Sequence, residues 1–430
     1  MVFIETQGIM MVKKTLRKND GSYGSEYGWR LFAFILFFQI THGVHSTEYS
    51  IDYSLSEKVE YESNPRLESD GEDLSGYMTS PVMRAKALAE TYEYGIGIDL
   101  VFSRFSKQEF NTDDQFVDLF YNKSYEKGRV GVSGSWANRS ARTSEILDVK
   151  VIDITERRET ANLSLNGGYQ FNEKNRLQLS TGYNDVKNES DVNGDNDSVR
   201  GSLLWRRKYN ERFSFQVNMV ANDYNTEKKI DGLLGVPGRL AGVENESSSL
   251  GVQVGFMYMP SESASVSLLV GETEVDIAQR IIDVPTGILL NRNDQSNKSN
   301  LLNFTADYQF NEKTSLRSDV TQEVSVSGDG FVQESNGLVF GGDYNVSSRL
   351  RSFTEITFEK RDALSVNVNS SDREDLTFKV GASYRLLENL LLKSVYRYRE
   401  TDFGNEDDRA RSSQVDFSLV YEPGPIVWSR

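Results

Sequence analysis

The 430-residue chain has no cysteine, two histidines, seven prolines and no apolar run near the length of a membrane-spanning helix. The missing cysteine excludes disulfide scaffolds and thiolate metal sites. Both histidines, His42 and His45, lie near the N-terminus, so residues 47–430 hold neither residue type. Ser-His-Asp and Cys-His nucleophilic systems need an imidazole base, and zinc sites are built mostly from His and Cys. No G-x-x-x-x-G-K-[ST] loop is present. Enzyme chemistry would be left to carboxylates, and no isolated pair stands out against the acidic background. A protease, lipase or deacylase barrel is therefore not expected, nor is a cofactor or bound metal. A helical membrane bundle is excluded, because each span needs about 20 apolar residues.

What is present is aromatic and patterned. Hydrophobic residues make up 38% of the chain and aromatics 11%, too many and too evenly spread for long disorder. Lys13, Lys14, Arg17, Lys18 and Arg30 precede an apolar run from Leu31 to Ile40, and Val44 and Ser46 supply small residues before Thr47. This is the layout of a secretory signal, expected over 1–46 with cleavage before Thr47. Met10 and Met11 are alternative starts, and a buried helix or N-terminal anchor is the alternative reading of the run.

From Tyr49 onward, apolar and polar residues alternate in runs of about ten, the period of strands with one apolar face. Tyr92, Tyr94, Ile96, Ile98, Leu100 and Phe102 share one face, and Glu93, Gly95, Gly97 and Asp99 the other. Leu302, Phe304, Ala306, Tyr308 and Phe310 repeat the pattern, as do Val415, Phe417, Leu419 and Tyr421. The turns repeat too: Tyr169-Gln-Phe-Asn-Glu-Lys matches Tyr308-Gln-Phe-Asn-Glu-Lys. Tight turns fall near 91, 127, 172, 210, 260, 311, 347 and 387, separated by nine longer, Asp/Asn/Gly/Ser-rich connections. Eight turns and nine loops predict about 18 strands in one all-β, closed antiparallel transmembrane barrel over 47–421, with a short tail over 422–430. Short periplasmic turns and long extracellular loops are the layout of an outer-membrane barrel, and lipid leaves no partner for an open edge. The prolines are expected in loops, turns, a strand start or the tail, with Pro81 opening the second strand. Tyr92, Tyr125, Tyr169, Tyr209, Tyr258, Tyr308, Tyr344, Tyr384 and Tyr421 cluster where strands meet the tight turns, as an interfacial aromatic girdle would. Aromatic packing in a soluble sandwich or propeller is the alternative.

Charge is unevenly placed. Residues 1–46 carry five basic and three acidic groups, so the net −16 becomes −18 over the remainder. Loops 62–78, 188–197 and 402–408 are each −4, suited to solubility or to divalent-cation bridges with lipopolysaccharide. On the face expected to point inward, Arg349, Arg351, Arg385, Lys393, Arg397 and Arg399 stack across neighbouring strands. Such a strip attracts anionic solutes, or else it forms an Arg–carboxylate ladder that stiffens the wall. Loops 225–246 and 276–296 carry Leu233, Leu234, Val236, Ile281, Ile282 and Val284 and are candidates for folding inward, capping the rim or meeting a partner. Asp191-Val-Asn-Gly-Asp-Asn-Asp197 resembles the start of a calcium loop, but its glycine is at the fourth place, and a hairpin tip is the plainer reading.

A first strand ending in Tyr61-Glu-Ser-Asn64-Pro65, an acidic loop, Thr79-Ser80-Pro81 and repeated Tyr-x-Phe-Asn-Glu-Lys turns resemble the β-barrel porin families of bacterial exopolysaccharide and capsule gene clusters. The resemblance covers nearly all of 47–430. It implies an outer-membrane channel passing a secreted polysaccharide, similar in size to 18-stranded polysaccharide export barrels. Implied partners are outer-membrane lipids and lipopolysaccharide, the barrel assembly machinery, periplasmic polysaccharide export proteins and the polysaccharide itself, with no nucleic acid. A general or anion-selective diffusion porin and a non-conducting structural or adhesive barrel stay open as alternatives.

Overall fold

The computed structural model describes residues 47–67, 71–140, 157–189, 194–231, 240–284, 286, 288–326, 332–364, 372–402 and 409–429. The expected leader over 1–46 lies outside them, as do Leu233, Leu234 and Val236.

Eighteen antiparallel staves run in chain order. They are β1 (Glu48–Ser63), β2 (Leu74–Leu88), β3 (Tyr92–Phe105), β4 (Thr112–Tyr125), β5 (Gly128–Ser140) and β6 (Arg157–Asn172). Next come β7 (Asn175–Asn188), β8 (Asp195–Lys208), β9 (Phe213–Asp231), β10 (Leu240–Ser261), β11 (Ala264–Asp283) and β12 (Ile288–Asn311). The series ends with β13 (Thr314–Val326), β14 (Val332–Asn345), β15 (Leu350–Ala363), β16 (Arg373–Leu387), β17 (Leu390–Asp402) and β18 (Arg409–Tyr421). Each pairs with its sequence neighbours, and β1 pairs with β18 to close the ring. The eight tight turns fall where the sequence placed them, and so do seven of the nine longer connections.

The chain past Tyr421 is not all irregular. Ile426–Ser429 forms a short strand, β19, that continues the last stave along β1, with Tyr49 opposite Trp428 and their rings stacked at 5.6 Å. Pro423 and Pro425, which cannot donate to a ladder, sit in the break between β18 and β19.

Two expectations are corrected. Pro81 lies inside β2, not at its start, directly opposite Leu55 of β1. It is tolerated because the β2–β3 ladder skips from Thr79–Phe102 to Val82–Asp99, so the missing N–H falls at a gap. Segments 225–246 and 276–296 are mostly strand rather than loop: β9 and β10 pair out to Asp231–Leu240, and β11 and β12 out to Asp283–Ile288. At about 3.3 Å per residue, strands of this length overshoot a hydrophobic band roughly 25 Å tall, so these hairpins extend as ribbons past the loop end. They do not stand free. Val275 and Ile277 of β11 are buried against Val332 of β14 together with Val324 and Leu364. Ser299 donates to Glu334 at 2.6 Å, and the Asn297 amide donates to the Leu364 carbonyl at 3.2 Å. Ile281 and Ile282 belong to β11, and Val284 is exposed.

Candidate functional site: the lumen wall

Alternation divides every stave into two faces, and the pairing register shows which residues share one. Phe256, Leu268, Phe304, Val320, Leu338, Phe358 and Leu376 lie opposite one another across seven consecutive strands, β10 to β16. A second row joins Phe340, Ile356 and Phe378. Large apolar side chains on this face are widely exposed, including Leu338, Phe340, Ile356 and Phe358. In water such a continuous apolar band would be a severe liability; in lipid it is the solvent-matched surface. The alternate residues are mostly polar or glycine, with a few apolar ones such as Leu269, Val339 and Phe353. The chain is an outer-membrane β-barrel.

Eight of the nine expected girdle tyrosines are exposed: Tyr125, Tyr169, Tyr209, Tyr258, Tyr308, Tyr344, Tyr384 and Tyr421. Tyr92 is half-buried, stacked on Tyr94 at 6.3 Å.

The chain is also similar over much of its length to solved uptake and import receptors. The ferric yersiniabactin uptake receptor FyuA of Yersinia pestis matches at TM-score 0.49 and 7% identity, over 87% of this chain and 80% of that one. BauA, the ferric preacinetobactin receptor of Acinetobacter baumannii, matches at 0.46 and 10%, with the same coverage of 87% and 80%. Fiu, the ferric-catecholate import receptor of E. coli K12, matches at 0.46 and 8%, over 86% and 82%. Likeness at this level assigns no cargo; strand count and closure rest on the chain's own pairing. No family model and no curated protein matches the chain.

The six basic residues of the expected strip share the inward register but do not form one patch. Arg349 and Arg385 lie beside the tight turns, joined through their backbones at 2.8 Å. Arg351 donates to Asp343 at 2.7 Å and Arg397 to the Gln414 amide oxygen at 3.0 Å. Arg399 is buried near the loop end, 3.5 Å from Glu62. Lys393 lies opposite Ser383 and Ser418. Among the described residues, Arg349, Arg385 and Lys393 make no ion pair.

The Arg–carboxylate ladder raised as the alternative is present on the inward face, although the sequence alone did not single out which acid pairs with which base. Arg317 reaches Asp319 at 2.6 Å, Arg361 reaches Glu359 at 2.8 Å and Arg373 reaches Asp375 at 2.7 Å. A signal was available, since opposite charges two residues apart in a strand share one face. Lys379 donates to Glu355 on the adjacent strand at 2.7 Å.

One ion pair left no signal at all. Arg200 of β8 lies 3.7 Å from Glu323 of β13, five strands away. On a circular barrel of 18 staves, spaced about 4.8 Å and tilted about 40°, those strands would stand roughly 28 Å apart, beyond the joint reach of the two side chains. The wall between β8 and β13 is therefore drawn in, and the pair bridges part of the lumen. Glycines mark the bend: a Cβ at Gly255 of β10 would overlap the Leu268 carbonyl, and one at Gly271 of β11 the Val252 carbonyl. Both side chains of the pair remain more than half exposed, so its net contribution to stability is expected to be below about 1 kcal/mol. Changing Glu323 to Gln is expected to raise single-channel conductance while leaving thermal unfolding in detergent unchanged. Unaltered conductance would place the pair outside the conducting path.

For the calcium-like segment, residues 190–193 lie outside the described set. Asp195 accepts the Asn188 backbone N–H at 2.9 Å and Asp197 accepts the Asn225 amide at 3.2 Å, both ordinary hairpin bonds. Among the described residues, no cluster of acidic groups is arranged to hold a metal.

Proposed function

We propose that this outer-membrane barrel is a channel exporting an exopolysaccharide or capsular polysaccharide, with its tight turns in the periplasm and its ribbons outside. The observation that carries the reading is a closed ring of 18 staves whose inward face is mostly polar, a strand number wide enough for an aqueous path. The sequence motifs around Asn64-Pro65 and Thr79-Ser80-Pro81 support the choice of cargo. In this reading residues 1–46 are removed on secretion, the exposed tyrosines sit at the periplasmic headgroup level, and a separate periplasmic export apparatus delivers the polymer. Deleting the gene should abolish surface polysaccharide and leave polymer in the periplasm; normal surface polymer would rule export out.

A diffusion porin with anion preference is the second reading, favoured by Arg349, Arg385 and Lys393, whose charges no neighbouring carboxylate offsets among the described residues. Replacing Arg351, Arg385 and Arg397 with Gln removes three lumen charges and should shift the reversal potential toward cation preference. An unchanged reversal potential would refute an electrostatic role for these side chains.

A further inference from the structure

Charge on the inner wall is distributed unevenly around the ring. Arg129, Arg176 and Arg206 alternate with Val130, Leu177 and Trp205 of the apolar face, which sets them in the inward register of β5, β7 and β8. Lys208 follows two residues after Arg206 in the same register. Over the described residues of β5 to β10, the inward register holds no Asp or Glu; acids of these strands such as Asp185, Asp197 and Asp223 occupy the opposite one. Elsewhere the lumen's bases are offset: Arg84 lies 3.3 Å from Asp99, Arg317 2.6 Å from Asp319 and Lys379 2.7 Å from Glu355.

The four bases gather at the tight-turn end of their staves. Arg176 and Arg206 lie directly opposite each other, which brings their Cβ atoms to about 5 Å and is destabilising for like charges left to themselves. Arg129 lies opposite Gly168 of β6, and Arg176 occupies the space that glycine leaves: a Cβ on Gly168 would stand 3.5 Å from Arg176 Nη2. Arg176 therefore leans toward β5 and Arg129, with Arg206 on its other side. Arg129, Arg176 and Lys208 are exposed and Arg206 is half-buried. Among the described residues none of the four makes an ion pair. The turns beside them cancel internally, pairing Glu126 with Lys127, Glu173 with Lys174 and Glu211 with Arg212 in sequence. Arg349, Arg385 and Lys393 stand at the same end on the opposite side of the ring, since β16 is nine staves from β7 in either direction.

Neighbouring guanidinium forks suit an oxyanion, which takes paired N–H bonds from each. A carboxylate or phosphate set among them would also offset the repulsion that the protein leaves standing. We infer that Arg129, Arg176, Arg206 and Lys208 form an oxyanion-binding station at the tight-turn mouth of the lumen, which takes a chain bearing carboxylate or phosphate groups. The site stands on the cluster alone; its cargo, an acidic polysaccharide entering from the periplasm, rests on the channel reading above.

Calorimetry on the detergent-solubilised protein tests the station with two probes, tripolyphosphate and tetragalacturonate, against neutral maltotetraose. At least one anion is expected to bind, more weakly as salt rises, and the one that binds identifies the oxyanion. Arg176→Gln combined with Arg206→Gln should weaken that binding about tenfold or more, because two charge-assisted contacts are lost. Thermal unfolding of this variant should be unchanged or raised, because a like-charge pair is removed. Should it fail to fold, Arg129→Gln on a separate strand makes the same binding prediction. Binding unaltered in whichever variant folds, maltotetraose bound as tightly as the anions, or no binding of either anion overturns the inference. Single-channel conductance of the same preparation separates the two readings: conduction without anion binding removes the station and keeps the channel, and anion binding without conduction does the reverse.

Discussion

Ile356→Arg is expected to block insertion of the barrel, whereas Thr357→Arg, one residue along the same strand, is expected to be tolerated. Ile356 is exposed on the apolar face of β15, with Phe340 and Phe378 opposite it on the flanking strands. An arginine there meets hydrocarbon, at a cost of about 2–4 kcal/mol near the bilayer midplane. That is a large fraction of the stability of a typical domain. Thr357 pairs with Val339 and Thr377 on the opposite face, where an arginine finds water and neighbouring carboxylates. Refolding yield into lipid vesicles, read from heat-modifiable migration, separates the two. Equal yields would mean that the face identified as lipid-facing is not in lipid, and the barrel's inside and outside would have to be exchanged.

The pair also shows why so much of this fold is legible in the sequence. In a membrane-spanning stave, period-two alternation is enforced by two different solvents, so the pattern around Leu302–Phe310 or Val415–Tyr421 is nearly unbroken. The Tyr-x-Phe-Asn-Glu-Lys turns are legible because each is a short closure whose side chains bond locally: Asn172 and Asn311 accept N–H groups two or three residues on. The ribbons of β9 to β12 were not legible, because past the membrane neither face needs to be apolar. The stretch from Asn291 to Asn300 is polar at every position and reads as loop, yet it is paired throughout with β11. Pro81 misled for a related reason, since the gap that accommodates it belongs to a ladder with another strand. In the lumen, the one-residue alternation told which bases point inward but not which acids face them. Arg200 and Glu323 meet only because the wall bends, and bending is a property of the closed ring, absent from any single strand.

Closure itself depends on the seam, and the second large effect is expected there. β1 meets two separate strands, β18 along Leu55–Ser63 and β19 along Glu48–Ile51. Near the loop end of this seam, Glu62 of β1 is buried and accepts from Arg399 of β17 at 3.5 Å and from Ser412 of β18 at 3.2 Å, and the Ser412 hydroxyl also lies 2.6 Å from the Ser63 carbonyl. Side-chain exposures of 5% for Arg399 and 3% for Glu62 mean that neither is rehydrated if its partner is lost. Replacing Arg399 with Leu should therefore destabilise the barrel by about 3–5 kcal/mol, the usual result of stranding one member of a buried pair. Removing both charges with Glu62→Leu and Arg399→Leu should recover most of the loss, because two buried ions are replaced by apolar bulk. Urea unfolding in detergent micelles measures all three variants. If Arg399→Leu unfolds with the wild type, the pair is hydrated and the seam is held by its backbone ladder alone; if the double variant is worse than the single, the two charges act through separate partners and not through each other.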